Sequence, residues 1–228
     1  MKIPKFTPRT LNIFTDASIL QLLTGEFVGC SGAVAYTGVE TRLKLLEEEF
    51  CCNRHTNNNE AELRAIYLGI CLGIKYKNQF EAINLFSDSK NCIFGLREWV
   101  FEWVERSTGD MLIGSTNQPV KYHSDILKCI YTILDNDLNI KLYHQKGHVE
   151  CHRLRQNAID AFKSSNFEKN VYLTNEFIEQ ISECNCYVDK KTKDILAACE
   201  ISSIEERKEK EYKFQPFDCE KYKALVTN

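Results

Sequence analysis

The chain lacks the features that mark fibrous, disordered or membrane-spanning proteins. Only four prolines and ten glycines occur among 228 residues, and the hydrophobic share of 43% is typical of a globular protein. No run of about eighteen uncharged apolar residues occurs, and the N-terminus has no apolar core of the kind that secretory signals carry. We therefore predict neither export nor a membrane span.

Cysteine is abundant, but its spacing lacks the pattern of a metal or redox site. No C-x-x-C pair occurs among the eleven cysteines, and without a secretory signal a disulfide framework is not expected. We predict reduced thiols and a cytoplasmic or other reducing intracellular location. His148, Cys151 and His152 could hold zinc in principle, but the missing or distant further ligands argue against it.

The chain also lacks a large charge of either sign. It has 29 basic and 32 acidic residues, which gives a net charge of −3. A protein that holds nucleic acid through its overall charge is therefore not expected. Any contact with a polyanion must come from a local patch.

The order of the predicted elements indicates an α/β fold. Three strands, 11–18, 26–37 and 40–53, follow one another across short gaps, so we expect antiparallel neighbours. The later elements are a helix beginning near 60, a strand at 82–86, helices at 89–103 and 124–134, a strand at 139–144 and a helix at 153–164. This alternation implies parallel pairing. The prediction is a mixed five-stranded sheet, first antiparallel and then parallel, flanked by helices.

The sequence changes character near residue 165. We predict one catalytic domain over residues 1–165 and a helical C-terminal extension over 166–228. An amphipathic stretch opens at Thr174, and a charged helix is expected from Asp194 into the run up to Lys213. No acid, histidine or glycine pattern there suggests chemistry, so the extension is expected to pack or to bind a protein partner.

Four carboxylates occupy comparable positions in the predicted domain. Asp16 lies at a strand exit, Glu62 in the first turns of a helix, Asp88 at a strand-to-helix junction and Asp160 on the last helix. Each alone is explained as a turn, cap or surface residue. Ligands collect beyond the carboxyl ends of such a sheet, and clustered carboxylates need cations between them. Mg²⁺ or Mn²⁺ would suit hydrolysis of a phosphodiester.

Four blocks of sequence resemble the motif set of type 1 ribonuclease H. They are Phe14-Thr15-Asp16-Ala17-Ser18, Thr56-Asn57-Asn58-Asn59-Glu60-Ala61-Glu62-Leu63, Phe86-Ser87-Asp88-Ser89, and Lys146-Gly147-His148 before Asn157 and Asp160. The resemblance runs from about Leu11 to Ser165 in the family's order. It implies the RNase H-like fold.

The resemblance also implies an activity and its cofactor. The expected enzyme is an endonuclease that cuts the RNA strand of RNA:DNA hybrids and leaves 5′-phosphate and 3′-hydroxyl ends. By motif position, Asp16, Glu62, Asp88 and Asp160 would bind two Mg²⁺ ions, with Mn²⁺ as a possible substitute, and His148 would assist proton transfer or product departure. The protein is expected to be a monomer.

Residues for the hybrid follow from the same resemblance. Asn58 and Asn59 correspond to asparagines that touch the minor groove, where a 2′-hydroxyl distinguishes RNA from DNA. The further predicted nucleic-acid contacts are Ser89, Lys90, Trp103 and Lys146. The segment between Trp99 and Val120, basic in some family members, has more acidic than basic residues here, so either weak substrate binding or help from elsewhere is expected. Asn157 precedes Asp160 by three residues where the family has four.

Two other readings stay open at this point. Another nuclease of the same fold, such as a Holliday-junction resolvase or a transposase-like enzyme, would use similar carboxylates. A non-catalytic module could keep the fold and bind a partner through its helical tail. The presence of all four acids argues against the module.

Overall fold

The computed structural model describes residues 3–39, 42–55, 57–147, 155–167, 171–200, 204 and 210–227. Within them, five strands form one sheet in the order β3-β2-β1-β4-β5. The strands are β1 Thr10–Gln21, β2 Phe27–Val39, β3 Arg42–His55, β4 Ala82–Ser87 and β5 Ile140–His144. β1 pairs antiparallel with β2 and parallel with β4, β2 pairs antiparallel with β3, and β4 pairs parallel with β5. The predicted mixed sheet is confirmed.

Helices cover both faces of this sheet. They are α1 Asn58–Tyr76, α2 Lys90–Phe94, α3 Val100–Arg106, α4 His123–Asp135, α5 Arg155–Asn166, α6 Asn175–Ala198 and α7 Cys219–Thr227. A π-helical segment, Gly95–Trp99, joins α2 to α3, so the single helix predicted over 89–103 contains one wider turn. None of the described helices combines the length and the apolar character that a membrane crossing requires.

The central strand β1 is buried on both faces, which follows from the two-residue period of a strand. Leu11 and Ile13 face a hydrophobic cluster formed with α1 and α4, whereas Phe14 faces a second cluster formed with α5 and α6. Both clusters therefore hold β1 rigidly, and the residues that follow Phe14 emerge at a fixed position.

Helix α1 begins where its sequence predicts. The side chain of Asn57 caps the helix by accepting from the backbone N–H of Asn59 at 2.9 Å and of Glu60 at 3.4 Å. The predicted apolar face is buried, since Leu63 and Ile66 are at most 3% exposed. This packing fixes the first two turns of the helix against the sheet.

The C-terminal extension packs on both faces of the sheet. Helix α6 lies against β1 and β2, while residues 210–227 lie on the other face, where the Tyr222 hydroxyl donates to the carbonyl of Leu96 at 2.9 Å. The charged helix predicted from Asp194 into the run up to Lys213 is present only as far as Ala198, where α6 ends, and the prediction is wrong for residues 210–213, which are not helical. Residues 201–203 and 205–209 lie outside the described part.

Candidate active site

Three of the predicted carboxylates converge at the carboxyl end of β4. Ser87, the last residue of β4, pairs with Thr15, so Asp88 and Asp16 each follow directly after this pair. Glu62 reaches the same place from the second turn of α1. One carboxylate oxygen from each of Asp16, Glu62 and Asp88 lies within 4.8 Å of the other two. The structure therefore brings three distant acids into one group.

Two oxygens of this group are buried without a hydrogen-bond partner. Asp16 and Glu62 are each only 4% exposed. Oδ1 of Asp16 accepts from the backbone N–H of Ala17 at 2.7 Å, but Oδ2 of Asp16 and Oε2 of Glu62 accept no hydrogen bond. Buried unpaired carboxylate oxygens are costly, and a cation between them removes that cost. The residues present therefore fit a divalent metal ion.

The electrostatics of the group lead to the same conclusion. Burial, followed by the charge of Asp88, raises the pKa of Asp16 to about 8. Burial and then the charges of Asp16 and Asp88 raise the pKa of Glu62 well above its ordinary value. The acids therefore resist ionisation next to one another, and divalent cations would favour the charged forms.

A cavity of about 540 Å³ opens onto this group. Its lining residues are Asp16, Ala17, Ser18, Ile19, Leu20, Asn58, Glu62, Asp88, Ser89, Asp189, Lys193, Leu196 and Ala197. Asp189 and Lys193 come from α6, in the extension whose sequence pattern does not suggest chemistry. Nζ of Lys193 lies 2.7 Å from Oδ2 of Asp189. The extension therefore contributes a carboxylate and a cation to the pocket.

Asn185 holds α6 at the end of the sheet. Its side-chain oxygen accepts from Nε2 of Gln145, and both residues are at most 3% exposed. Gln145 directly follows β5 and donates its backbone N–H to the carbonyl of Ser87 at 3.0 Å. Asp189 lies one helical turn after Asn185 and so reaches the pocket. No local pattern in the sequence distinguishes Asp189 from the other acids of this helix, so its place in the pocket follows only from the tertiary structure.

Asp160 does not join the three clustered acids. It lies on α5, is exposed, and its Oδ1 accepts from Nε2 of Gln156 at 2.8 Å. Its role as a metal ligand stays a prediction that the packing does not favour. His148 lies outside the described residues, so its predicted role stays a prediction as well.

Two of the predicted nucleic-acid contacts line the cavity, namely Asn58 and Ser89. Asn58 is exposed at the start of α1, and a hydrogen bond from its side chain partly offsets the raised pKa of Glu62. Ser89 precedes α2 and donates its N–H to Oγ of Ser87 at 3.2 Å. Asn59 lies beside Asn58 in the first turn of α1.

The other predicted contacts differ in their surroundings. Lys90 and Lys146 are exposed, with the Lys90 ammonium 5.4 Å from the ring centre of Phe94. Trp103 is half-buried and packs against Gly95 and the first cluster. Its ring therefore contributes to the core, which leaves less of it for stacking on a base.

The surface near α3 is acidic, as its sequence indicates, but the extension partly neutralises it. Nζ of Lys213 lies 3.0 Å from Oδ2 of Asp110, and the backbone N–H of Phe214 donates to the carbonyl of Asp110 at 2.7 Å. Residues 210–217 thereby pack beside the loop that precedes α4.

Comparisons with known proteins agree with this fold. A sequence model described as RNase H matches residues 8–166. The solution structure of the PFV RNase H domain superposes with a TM-score of 0.51 at 16% identity, covering 78% of this chain and 94% of that chain. The foamy viral protease-reverse transcriptase in complex with RNA/DNA hybrid gives a TM-score of 0.51 at 15% identity, covering 72% of this chain and 21% of that one. No curated protein matches the sequence significantly.

Proposed function

We propose that this chain, a member of the RNase H family that hydrolyses the RNA strand of RNA:DNA hybrids, does so with two divalent ions held around Asp16, Glu62 and Asp88. The observation that carries the proposal is the grouping of these three carboxylates within 4.8 Å. Two of their oxygens are buried and accept no hydrogen bond, which leaves them available to bind a cation.

Mg²⁺ is the ion that we propose, with Mn²⁺ as a substitute, because the ligands are hard carboxylate oxygens. Two such ions, when bound, activate a water molecule and stabilise the charge that develops around the phosphorus. The products would be a 5′-phosphate and a 3′-hydroxyl. Asn58 at the cavity rim would read the 2′-hydroxyl, because its amide can both donate and accept.

Asp189 is the fourth carboxylate that we assign to the pocket, in place of the predicted Asp160. It lines the same cavity as the three clustered acids, and its charge contributes to the raised pKa of both Asp16 and Glu62. Asp160 is exposed and bonded to Gln156. An Asp189→Asn variant should therefore weaken Mn²⁺ binding by about tenfold or more in calorimetry, whereas Asp160→Asn should leave it unchanged.

His144 contacts the backbone of Asp88 and helps to hold it in place. The residue is 8% exposed, and a hydrogen bond with the backbone of Asp88 partly offsets the effect of its burial on the His144 pKa. Burial lowers the pKa of His144 to about 4, so the ring is neutral at neutral pH and adds no positive charge beside the metal ligands. His148, in the adjacent segment, is the residue that we propose for proton transfer to the leaving oxygen or for product departure.

The function is tested with matched RNA:DNA, RNA:RNA and DNA:DNA duplexes in Mg²⁺ or Mn²⁺. We expect cleavage of the RNA strand of the hybrid alone and its loss in Asp88→Asn. Asp137→Asn is the matched control, because Asp137 is exposed and precedes β5 at the opposite end of the sheet. Activity that survives in Asp88→Asn would contradict the assigned site, and cleavage restricted to branched DNA would indicate a resolvase.

We further propose that the protein acts as a monomer in a reducing compartment such as the cytoplasm. The ten described cysteines are all free thiols. The apolar faces of α6 and α7 are buried against the sheet and its helices. A protein partner of the extension would therefore bind its outer, polar faces.

A further inference from the structure

Lys193 is the one positively charged residue among the described residues that line the catalytic cavity. Four carboxylates share that cavity with it: Asp16, Glu62, Asp88 and Asp189. The Lys193 side chain is 55% exposed, and the Asp189 side chain with which it pairs is 17% exposed. The ammonium can therefore leave Asp189 and remain solvated.

The charges of the pocket leave a role for this lysine. The four negative charges of the ionised carboxylates equal the four positive charges of two divalent ions. The occupied metal site therefore has no net positive charge to attract a phosphodiester. A phosphate that enters this pocket brings a further negative charge, and a nearby ammonium would attract it. Lys193 is placed to do so, since it and the metal ligands face the same cavity.

The backbone of Lys193 is held against the sheet through the neighbouring Thr192, while its side chain is 55% exposed. Oγ1 of Thr192, the preceding residue, lies 2.9 Å from Oγ of Ser18 in β1. Thr192 also packs against Gly32 of β2, where an added Cβ would lie 2.8 Å from Cγ2 of Thr192. The Cα of Lys193 therefore has a fixed position at the cavity rim, from which the long side chain can reach either Asp189 or a phosphate in the cavity.

We propose that Lys193 is a substrate-positioning residue: it pairs with Asp189 in the metal-free protein, and it binds a phosphate of the hybrid once divalent ions occupy the carboxylates. This rests on the proposed function. It assigns to the extension a direct contact with the nucleic acid, in a protein whose overall charge is −3.

Lys193→Met tests the proposal through two effects of opposite sign. Hybrid binding should weaken by about tenfold in fluorescence anisotropy, measured in Ca²⁺ so that the carboxylates are occupied but the RNA strand is not cut. Mn²⁺ binding in the absence of hybrid should become about two- to fivefold tighter, because Asp189 loses its competing cation. General damage to the pocket would weaken both. The slope of log affinity against log salt should also fall by about one.

Two further variants complete the test. Lys193→Arg keeps the charge and should restore most of the hybrid affinity. Lys190→Met removes an exposed lysine of the same helix that does not line the cavity, and it should leave both affinities unchanged. Unchanged hybrid binding in Lys193→Met would overturn the proposal, as would weaker Mn²⁺ binding.

Failure of the proposed function would be seen separately. In that case, the wild-type protein would bind the hybrid in Mg²⁺ without cutting its RNA strand. The comparison of Lys193→Met with wild type would still report on the phosphate contact, because it measures binding and not cleavage.

Discussion

Gly147 lies directly against the carboxylate of Asp88, so closely that a side chain would displace it. A Cβ atom added at Gly147 would overlap the carboxylate and lie only 2.9 Å from Cγ of Asp88. Gly147 follows β5 by three residues, and Asp88 follows β4 by one. The close approach of these two strand exits therefore fixes where the Asp88 carboxylate can lie.

Gly147→Ala should reduce hybrid cleavage strongly, by about 10²-fold, because a metal ligand displaced by about an ångström loses its geometry. The protein should remain folded, since the contact lies at the edge of the cavity. Cleavage rates and thermal melting of the purified variant give the measurement. Gly114→Ala is the matched control, because its new Cβ would meet its nearest neighbour at 3.5 Å, an ordinary contact. Equal activity in the two variants would contradict the expected role of Gly147.

Asp16→Asn should abolish cleavage and stabilise the metal-free protein. The pKa of Asp16 is raised in the folded state, chiefly by burial, from 3.8 to about 8. The stability that this acid contributes is therefore present below pH 4 and is lost as the pH rises through 8. In EDTA at pH 8, the variant should melt about 2–6 °C above wild type.

This difference should shrink as the pH falls from 8 through 4, because below the unfolded-state pKa of 3.8 the acid of the wild type is protonated in both states. Asp137→Asn serves as the control. Its partner Lys221 lowers the pKa of Asp137, so its removal should not stabilise the protein at any pH. A destabilised Asp16→Asn variant in EDTA would show that Asp16 is not under repulsion in the metal-free state.

The buried His144 should make the protein less stable in mild acid. Its pKa falls from 6.5 to about 4 on folding, mainly through burial. Its stabilising contribution is therefore complete above pH 6.5 and is lost as the pH falls toward 4, by up to about 3 kcal/mol. Urea unfolding of wild type and His144→Gln between pH 7 and pH 4.5 gives the measurement. The wild type should lose more stability than the variant, and parallel losses would contradict the assignment.

Two glycines of α1 should respond to alanine in opposite directions. At Gly73, a Cβ would meet its nearest neighbour, Leu138, at 3.4 Å, so Gly73→Ala should gain about 0.5–1 kcal/mol from helix propensity. At Gly69, a Cβ would lie 2.8 Å from Leu85 and 2.9 Å from Thr15. Gly69→Ala should therefore cost about 1–3 kcal/mol through overpacking. Chemical denaturation of the two variants measures both changes, and equal shifts would contradict the packing at Gly69.

The periodic elements could be predicted because their signals are local. Asn57 is a favourable N-cap residue and predicts the start of α1, and the helical spacing of Leu63, Ile66 and Ile70 identifies the buried face of the helix. The two-residue alternation around Asp16 identifies β1. Local order and the alternation of strands and helices then limit the topology to a mixed sheet.

The predicted elements differ from the structure where the chain lacks such local signals. The charged run after Asp194 has the composition of a helix, yet α6 ends at Ala198. Residues 210–213 are not helical and lie beside the start of α4. Helix α7 carries a weak apolar pattern, and it is held by tertiary contacts such as that of Tyr222 with Leu96. Propensity alone cannot identify elements that depend on packing.

The sequence by itself predicted the strands and the main helices, because their periodicity is local. Its resemblance to the ribonuclease H motifs predicted the acids Asp16, Glu62, Asp88 and Asp160, of which the structure groups the first three. Only the tertiary structure decided that α6 covers β1 and β2 and that Asp189 and Lys193 enter the cavity. The physical reason is that a carboxylate on a long amphipathic helix looks like any surface acid. Its position becomes defined once Asn185 and Thr192 fix that helix against the sheet.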